Sequence, residues 1–176
     1  MKKYFFGIAV VVFVVTGFSA VPVVDDNLCA GNENIIISFK MKNSAKTAAL
    51  LAAKDGSYIV YRFGTKNNVE LEYPQDKKDS FEKFFLDYNW FLSGEGYSLY
   101  FRNGGFQYEI YENETYGNTG NPEEGGQLIH SVGIGVKNLS TGKITYLEGM
   151  GETVKGRLWD LKDNNKIRKL ENSGWN

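Results

Sequence analysis

The sequence predicts an all-β protein, either an antiparallel β-barrel or a two-sheet sandwich of about eight to nine strands with one short helix. Composition is the first reason, because aromatic residues make up 15% of the 176 residues and favour strands. Turn chemistry is the second, since 20 glycines against 3 prolines suit tight turns. The third is spacing, because short apolar or alternating segments follow one another with turn residues between them.

The candidate strands are short segments rich in β-branched and aromatic residues. They are residues 35–39, 48–53, 58–63, 69–73, 97–102, 106–112, 127–136, 144–147, 157–161 and 167–170. Residues 48–53 are rich in alanine and leucine, which favours a helix in isolation, but the turn residues that follow favour a strand. The strongest hairpin joins 97–102 to 106–112 through an Asn-Gly-Gly turn.

Two segments do not have a strand pattern. The helix candidate begins at Asp79 or Ser80 and carries aromatic residues at three- and four-residue spacing, namely Phe81, Phe84, Phe85 and Tyr88. This spacing predicts one or two helical turns. Residues 113–126 are polar and predict a long loop, a kind of segment that is usually functional or disordered.

The N-terminus has the three parts of a secretory signal peptide. Lys2 and Lys3 precede an apolar run over residues 4–15, and small residues follow at 16–20. The run is shorter than the roughly 20 residues that cross a bilayer, so cleavage after Ser19 or Ala20 is favoured over a retained membrane anchor. The predicted organisation is a signal peptide at 1–20, a polar leader at 21–34 and a single β domain at 35–176, located in the periplasm or outside the cell.

Cysteine content and charge narrow the possible functions. Cys29 is the only cysteine, so no intramolecular disulfide can form, and a buried apolar role is favoured over an intermolecular one. A lipid anchor at Cys29 is disfavoured because the preceding Asp-Asn-Leu lacks the small residues that lipoprotein processing needs. The formal net charge of −1 argues against a nucleic-acid partner, which requires a basic face.

Candidate chemistry is sparse along the chain. The single histidine, His130, lies within a predicted strand without a zinc-ligand partner nearby in sequence, and it is interpreted as a half-buried strand residue. Acids that could serve a hydrolase or bind calcium are interpreted as solvated strand or loop residues: Glu70, Glu72, Glu109, Glu112, Glu114, Glu123 and Glu124. The sequence predicts no catalytic residue, no metal site and no cofactor.

The most distinctive stretch is Ser-Gly-Glu-Gly-Tyr at residues 93–97. Such a turn can present Ser93 and Tyr97 as a protruding contact for another protein. The alternative is an ordinary turn from which Tyr97 packs into the core. On the first reading, Ser93, Gly94 and Tyr97 are the predicted protein-binding residues.

Two resemblances accompany these patterns. The Ser-Gly-x-x-Tyr arrangement of Ser93, Gly94 and Tyr97 resembles the short motif of the periplasmic lysozyme inhibitors, small exported β proteins that insert a loop into the lysozyme active-site cleft. This resemblance implies that Ser93 and Tyr97 contact the target enzyme. Residues 61–64 and 69–74 are also similar to a group of small exported bacterial proteins without an assigned function.

The sequence therefore predicts an exported, non-enzymatic binding protein, with an inhibitor of a cell-wall hydrolase such as a lysozyme, or a toxin-neutralising immunity-type protein, as its concrete forms. A small carbohydrate-active hydrolase using strand carboxylates is one alternative. A structural component of the envelope is another. The oligomeric state is left open.

Overall fold

The protein is built from strands. The computed structural model describes residues 25–117 and 126–170, and the predicted signal peptide lies outside these ranges. The described residues form eleven strands: β1 Glu33–Lys40, β2 Thr47–Ala53, β3 Ile59–Thr65, β4 Asn68–Tyr73, β5 Phe85–Phe91, β6 Gly94–Asn103, β7 Phe106–Gly117, β8 Gln127–Asn138, β9 Ile144–Glu148, β10 Lys155–Gly156 and β11 Arg168–Lys169. No described helix is long and apolar enough to cross a membrane.

The strands form two sheets packed as a sandwich, which confirms the predicted all-β class and selects the sandwich over the barrel. The first sheet has the order β10-β1-β2-β3-β4 and the second β11-β5-β6-β7-β8-β9. Sequential antiparallel hairpins account for most neighbours, as the short turns require. After β9 the chain leaves the second sheet, and Gly149 forms an isolated β-bridge with Met41, the residue that follows β1.

The predicted helix is wrong beyond its first turn. Residues Ser80–Lys83 form a short 3-10 helix, and the chain then extends into β5. The aromatic spacing that suggested a helix also contains a strand alternation, in which Phe84 and Leu86 face the core. Aromatic side chains fit a half-buried pleated surface better than a second helical turn, and pairing with β6 adds backbone hydrogen bonds.

Three boundary predictions are also corrected. The expected strand at 157–161 is a 3-10 helix, Leu158–Leu161, because leucines three residues apart both turn into the core. The expected strand at 167–170 is reduced to β11, which lies parallel to β5. The expected loop at 113–126 begins later, since β7 continues to Gly117; residues 118–125 lie outside the described ranges. Residues 48–53 form a strand as predicted.

One continuous core lies between the sheets. Its central members are fully buried apolar and aromatic side chains, among them Ile37, Leu50, Tyr61, Leu99, Phe101 and Ile110. Phe101 stacks on Tyr73 and Tyr108, with ring centroids 4.4 Å and 4.8 Å apart. These contacts join strands of both sheets, so the sandwich shares one core.

The outer face of the first sheet is covered by part of the predicted leader. Leu28 is fully buried there in a small cluster with Leu51 and Val60, and half-buried Cys29 packs against it. Burial raises the pKa of the Cys29 thiol. Residues 25–31 thus belong to the folded domain, and the first strand begins two residues before the predicted boundary at residue 35.

Candidate functional site

The predicted Ser-Gly-Glu-Gly-Tyr stretch lies at one end of the second sheet. Phe91 pairs with Gly94 across the β5–β6 hairpin, so Leu92 and Ser93 form its two-residue turn. Both turn residues are exposed, and Leu92 is fully so at 113%. The carbonyl of Ser93 accepts a hydrogen bond from the Tyr116 N–H at 2.7 Å, which ties the turn to β7.

Gly94 has a structural reason to be glycine. A Cβ at this position would collide with the backbone carbonyl of Glu114 and would lie 2.8 Å from the Cα of Thr115. No larger residue fits without moving β7 away. The glycine of the Ser-Gly pair is thus explained by the close approach of two backbones, whatever Ser93 binds.

Tyr97 does not protrude. Its side chain is 3% exposed, and its ring lies 4.7 Å from that of Tyr88 and 5.5 Å from that of Trp159. Burial also raises the pKa of its hydroxyl. Of the predicted contact residues, only Ser93 and the edge of Gly94 reach the surface, because strand alternation points Tyr97 towards the sandwich interior. A direct contact of Tyr97 with a partner stays a prediction.

The inner face of the second sheet extends beyond the core. Trp90, Glu95, Glu114 and His130 stand in register across β5 to β8, on the same face as Leu86, Leu99, Ile110 and Ile134. Tyr116 and Leu128 form the next pair outward. Trp90 is 76% exposed, Tyr116 61% and Leu128 50%. We call this surface the open face, defined by Trp90, Glu95, Glu114, Tyr116, Leu128 and His130.

A buried carboxylate anchors the inner edge of the open face. Glu112 is 1% exposed and accepts a hydrogen bond from the Leu158 N–H at 2.7 Å. Its other oxygen lies 3.0 Å from His130 Nε2 and 3.5 Å from Arg157 Nε. Glu112 therefore fastens the 3-10 helix at Leu158–Leu161 to the second sheet, and its oxygens are already occupied.

Negative charge is in excess around this carboxylate. Arg157 also pairs with Glu114 at 2.9 Å. Burial alone would lower the pKa of the Arg157 guanidinium, but the neighbouring carboxylates, including that of Glu95, outweigh burial and raise this pKa. Three carboxylates thus surround one guanidinium and one imidazole. Acidic side chains thus outnumber basic ones at this end of the second sheet. The Tyr88 hydroxyl is a neutral partner of Glu95, at 3.1 Å.

The acids considered for a hydrolase are not brought together. Glu70 pairs with Lys46 and Glu72 with Arg62, both at the first sheet. Glu109 lies on the outer face of the second sheet, where it accepts hydrogen bonds from Ser98 at 2.7 Å and from the Tyr100 hydroxyl at 3.1 Å. Glu109 therefore lies on the opposite side of the sandwich from Glu70 and Glu72, and each of those two carboxylates is paired with a basic side chain.

His130 is a half-buried strand residue, as predicted. Within residues 25–117 and 126–170, no group of three or more histidine, cysteine or acidic residues could hold a metal ion. The predicted acidic loop residues Glu123 and Glu124 lie outside the described ranges.

Sequence reasoning missed most of the open face. Because a helix and a turn were predicted here, Trp90 and Leu92 were not identified as surface residues of a strand and its turn. The signal that could have found them is the alternation of Tyr88, Trp90 and Leu92 with the polar residues Asp87 and Asn89, which is typical of a strand. Arg157 lies 45 positions from Glu112 in the chain, and no local pattern connects the two.

The chain matches no protein-family model, no curated protein and no solved structure. The open face and the hairpin turn beside it are therefore the evidence from which a function can be inferred.

Proposed function

We propose that this is an exported, non-enzymatic protein-binding domain, and that its concrete role is to inhibit a cell-wall hydrolase such as a lysozyme. The observation that carries the proposal is the concentration of exposed apolar side chains at one end of the second sheet, on the open face and the Leu92–Ser93 turn. The predicted signal peptide would bring such a domain to the compartment where these hydrolases act.

The exposed residues have the character of a binding anchor. Trp90 on β5 and Tyr116 on β7 flank β6, and Leu92 lies in the β5–β6 turn. Single exposed apolar residues would need no explanation, whereas a group of them does. Tryptophan and tyrosine are enriched among residues that dominate binding energy. A two-residue turn carrying a fully exposed leucine is narrow enough to enter a cleft.

The charged groups support binding more than catalysis. A general acid or base must reach its substrate, but Glu112 is buried and already bonded to a backbone N–H. Glu70, Glu72 and Glu109 do not form the carboxylate pair that glycoside hydrolysis requires. A structural role in the envelope predicts a stable assembly and no soluble target, and the same binding experiment separates it from inhibition.

The experiment measures binding to, and inhibition of, a panel of lysozymes from each main class together with other peptidoglycan hydrolases. We expect one class to be bound and inhibited. The double variant Trp90→Ala/Leu92→Ala should weaken that binding at least tenfold, because two exposed anchors are truncated. The matched control is Tyr146→Ala, which removes an aromatic ring 58% exposed on the opposite face of the same sheet and should leave affinity unchanged.

Two results would overturn the proposal. Failure to bind or slow any enzyme of the panel would remove the inhibitor role. Equal loss of binding in the Trp90/Leu92 variant and the Tyr146 control would remove the site. Ser93→Ala, which leaves Gly94 and the hairpin intact, reports separately whether the predicted serine contact exists.

A further inference from the structure

The charge of the open face specifies the chemistry of its partner, an inference that rests on the proposed function. We infer that the open face seats an extended segment of a protein partner whose contacting face carries apolar and basic side chains in turn at every second residue, with one lysine or arginine side chain held between Glu95 and Glu114. The apolar residues of that segment would lie against Trp90, Tyr116 and Leu128.

The first support is an unusual pairing of like charges. Glu95 and Glu114 stand directly opposite each other on β6 and β7, where Cβ atoms are about 4.5–5.5 Å apart. Like charges in this position destabilise a sheet. Arg157 reaches Glu114 but has no hydrogen bond to Glu95, whose side chain meets the neutral Tyr88 hydroxyl. A cation arriving from outside would relieve this repulsion.

The second support is an aromatic wall beside the same carboxylates. Trp90 faces Glu95 across the β5–β6 pair, and its ring stands edge-to-face against Tyr88 at 79°. A cation over an exposed tryptophan face is attracted by the ring, and a carboxylate next to it adds to that attraction. Of the two tryptophans in the described residues, Trp159 already has this contact with Lys162, whose Nζ lies 3.7 Å from the ring centroid, whereas Trp90 is 76% exposed.

The third support is the alternation of surface character. Along the open face, an apolar row (Tyr116, Leu128) lies next to a charged row (Glu95, Glu114). An extended peptide presents side chains of one face every second residue, about 6–7 Å apart, which matches the spacing of rows along a strand. A neutral glycan would stack on Trp90 without using the excess negative charge, and an anionic surface would be repelled by it.

The test is a titration of the purified, nitrogen-15-labelled protein, followed by the backbone and indole N–H resonances. Three acetylated, amidated pentapeptides serve as probes, each with its test residue on the same face of the extended chain as two leucines: Leu-Ser-Arg-Ser-Leu, Leu-Ser-Gln-Ser-Leu and Leu-Ser-Glu-Ser-Leu. A chitin hexasaccharide is the glycan probe. We expect the arginine peptide to bind at least tenfold more tightly than the glutamine peptide, to shift the indole resonance of Trp90, and to weaken as salt rises.

The variants assign the site. Glu95→Gln/Glu114→Gln should reduce the preference for the arginine peptide to less than threefold, while Glu148→Gln, a carboxylate of the same sheet outside the open face, should leave it unchanged. Unshifted resonances in the core show that each variant is folded. Trp90→Ala should weaken both the arginine and the glutamine peptide.

The outcomes separate this inference from the proposed function. If Trp90→Ala weakens peptide binding but the glutamate variant does not, the basic partner is overturned and the apolar docking site stands. Tighter binding of the hexasaccharide, or no binding of the arginine peptide, also overturns the inference. If the arginine peptide binds as expected while no hydrolase is inhibited, the inference stands and the inhibitor role fails.

Discussion

At the scale of single residues, the most constrained side chain is Arg62. It is fully buried on the outer face of the first sheet, and its guanidinium donates to both oxygens of Glu33, to Glu72 at 2.7 Å and to the Leu28 carbonyl at 2.9 Å. Glu33 also accepts from the Tyr58 hydroxyl at 2.9 Å. The charges are therefore buried only because each finds several partners.

Arg62→Met should lower the free energy of unfolding by about 3–5 kcal/mol, measured by urea denaturation at pH 7. Methionine keeps the apolar stem of the side chain but leaves the Glu33 carboxylate buried without its cation. The control is Lys42→Met, which breaks an ion pair whose side chains are 58% and 66% exposed and should leave the free energy of unfolding nearly unchanged. Equal losses in both variants would contradict this account of Arg62.

The same pair has a pH signature that checks the interpretation. Burial alone would raise the pKa of Glu33, but hydrogen bonds from Arg62 and the Ala30 N–H hold it below the ordinary value of 4.5. The pair stabilises the fold fully above that value, and the contribution is lost as the pH falls through the lower folded pKa. In the Arg62→Met variant, burial would raise the pKa of Glu33, so that its carboxyl is neutral in acid and costs less to bury. The difference in unfolding free energy between the variant and the parent should therefore narrow as the pH falls.

Residue-level prediction from sequence assigned His130 correctly to a half-buried strand position and gave no indication that Arg62 is buried. A lone histidine among strand residues has few other interpretations. Arg62 is the one charged residue in the otherwise apolar and aromatic segment 58–63, and arginine is seldom fully buried unless it is paired. What buries it is the segment 25–31 together with Glu33, 29 positions away, and no local pattern encodes that contact.

At the scale of elements, β5 was the main error of the prediction from sequence, because a helix was expected over part of it. Phe84 and Tyr88 fit both a helical and a strand period, so the pattern is ambiguous over so few residues. Pairing with β6 selects the strand over the helix. Residue propensities carry no information about pairing between elements, so the sequence pattern alone could not make this choice. Strands 48–53, 58–63 and 106–112 were predictable because turn residues bound them on both sides.

Gly94→Ala should lower the free energy of unfolding by roughly 1–3 kcal/mol, because the added Cβ meets the backbone of β7 and not a flexible side chain. Thermal and urea denaturation measure the loss. Ser93→Ala in the adjacent exposed turn is the matched control and should change stability by less than about 0.5 kcal/mol. A stable Gly94→Ala protein would mean that β6 and β7 separate more easily than their packing indicates.

At the scale of the whole molecule, the sandwich was predictable because most of its strands pair in sequential hairpins. The pairings between residues far apart in the chain were not predictable. The bridge from Gly149 to Met41 and the parallel pairing of β11 with β5 join residues about a hundred and about eighty positions apart. Such contacts depend on the final packing of the two sheets. The open face arises from the same cause, since it exists only where the longer strands of the second sheet extend past the first.

The packing of residues 25–28 bears on where the predicted signal peptide would be removed. Processing just before Cys29 would remove Leu28, which is fully buried, contributes to the outer cluster and supplies a carbonyl to Arg62. It would also remove Asp25, whose carboxylate accepts from the Asn27 and Cys29 N–H groups. A fold that uses these residues is compatible with cleavage after Ser19 or Ala20 and would be weakened by cleavage at residue 28.

Intact-mass and N-terminal analysis of the protein isolated from producing cells should therefore find a chain beginning at Ala20 or Val21, with an unmodified Cys29. A form beginning at a lipid-modified Cys29 would contradict this. A chain engineered to begin at Cys29 is the counterpart experiment. It should lose about 2 kcal/mol or more of unfolding free energy, because the burial of Leu28 alone contributes about that amount. A truncated chain as stable as the parent would mean that the outer cluster and Arg62 do not need the residues before Cys29.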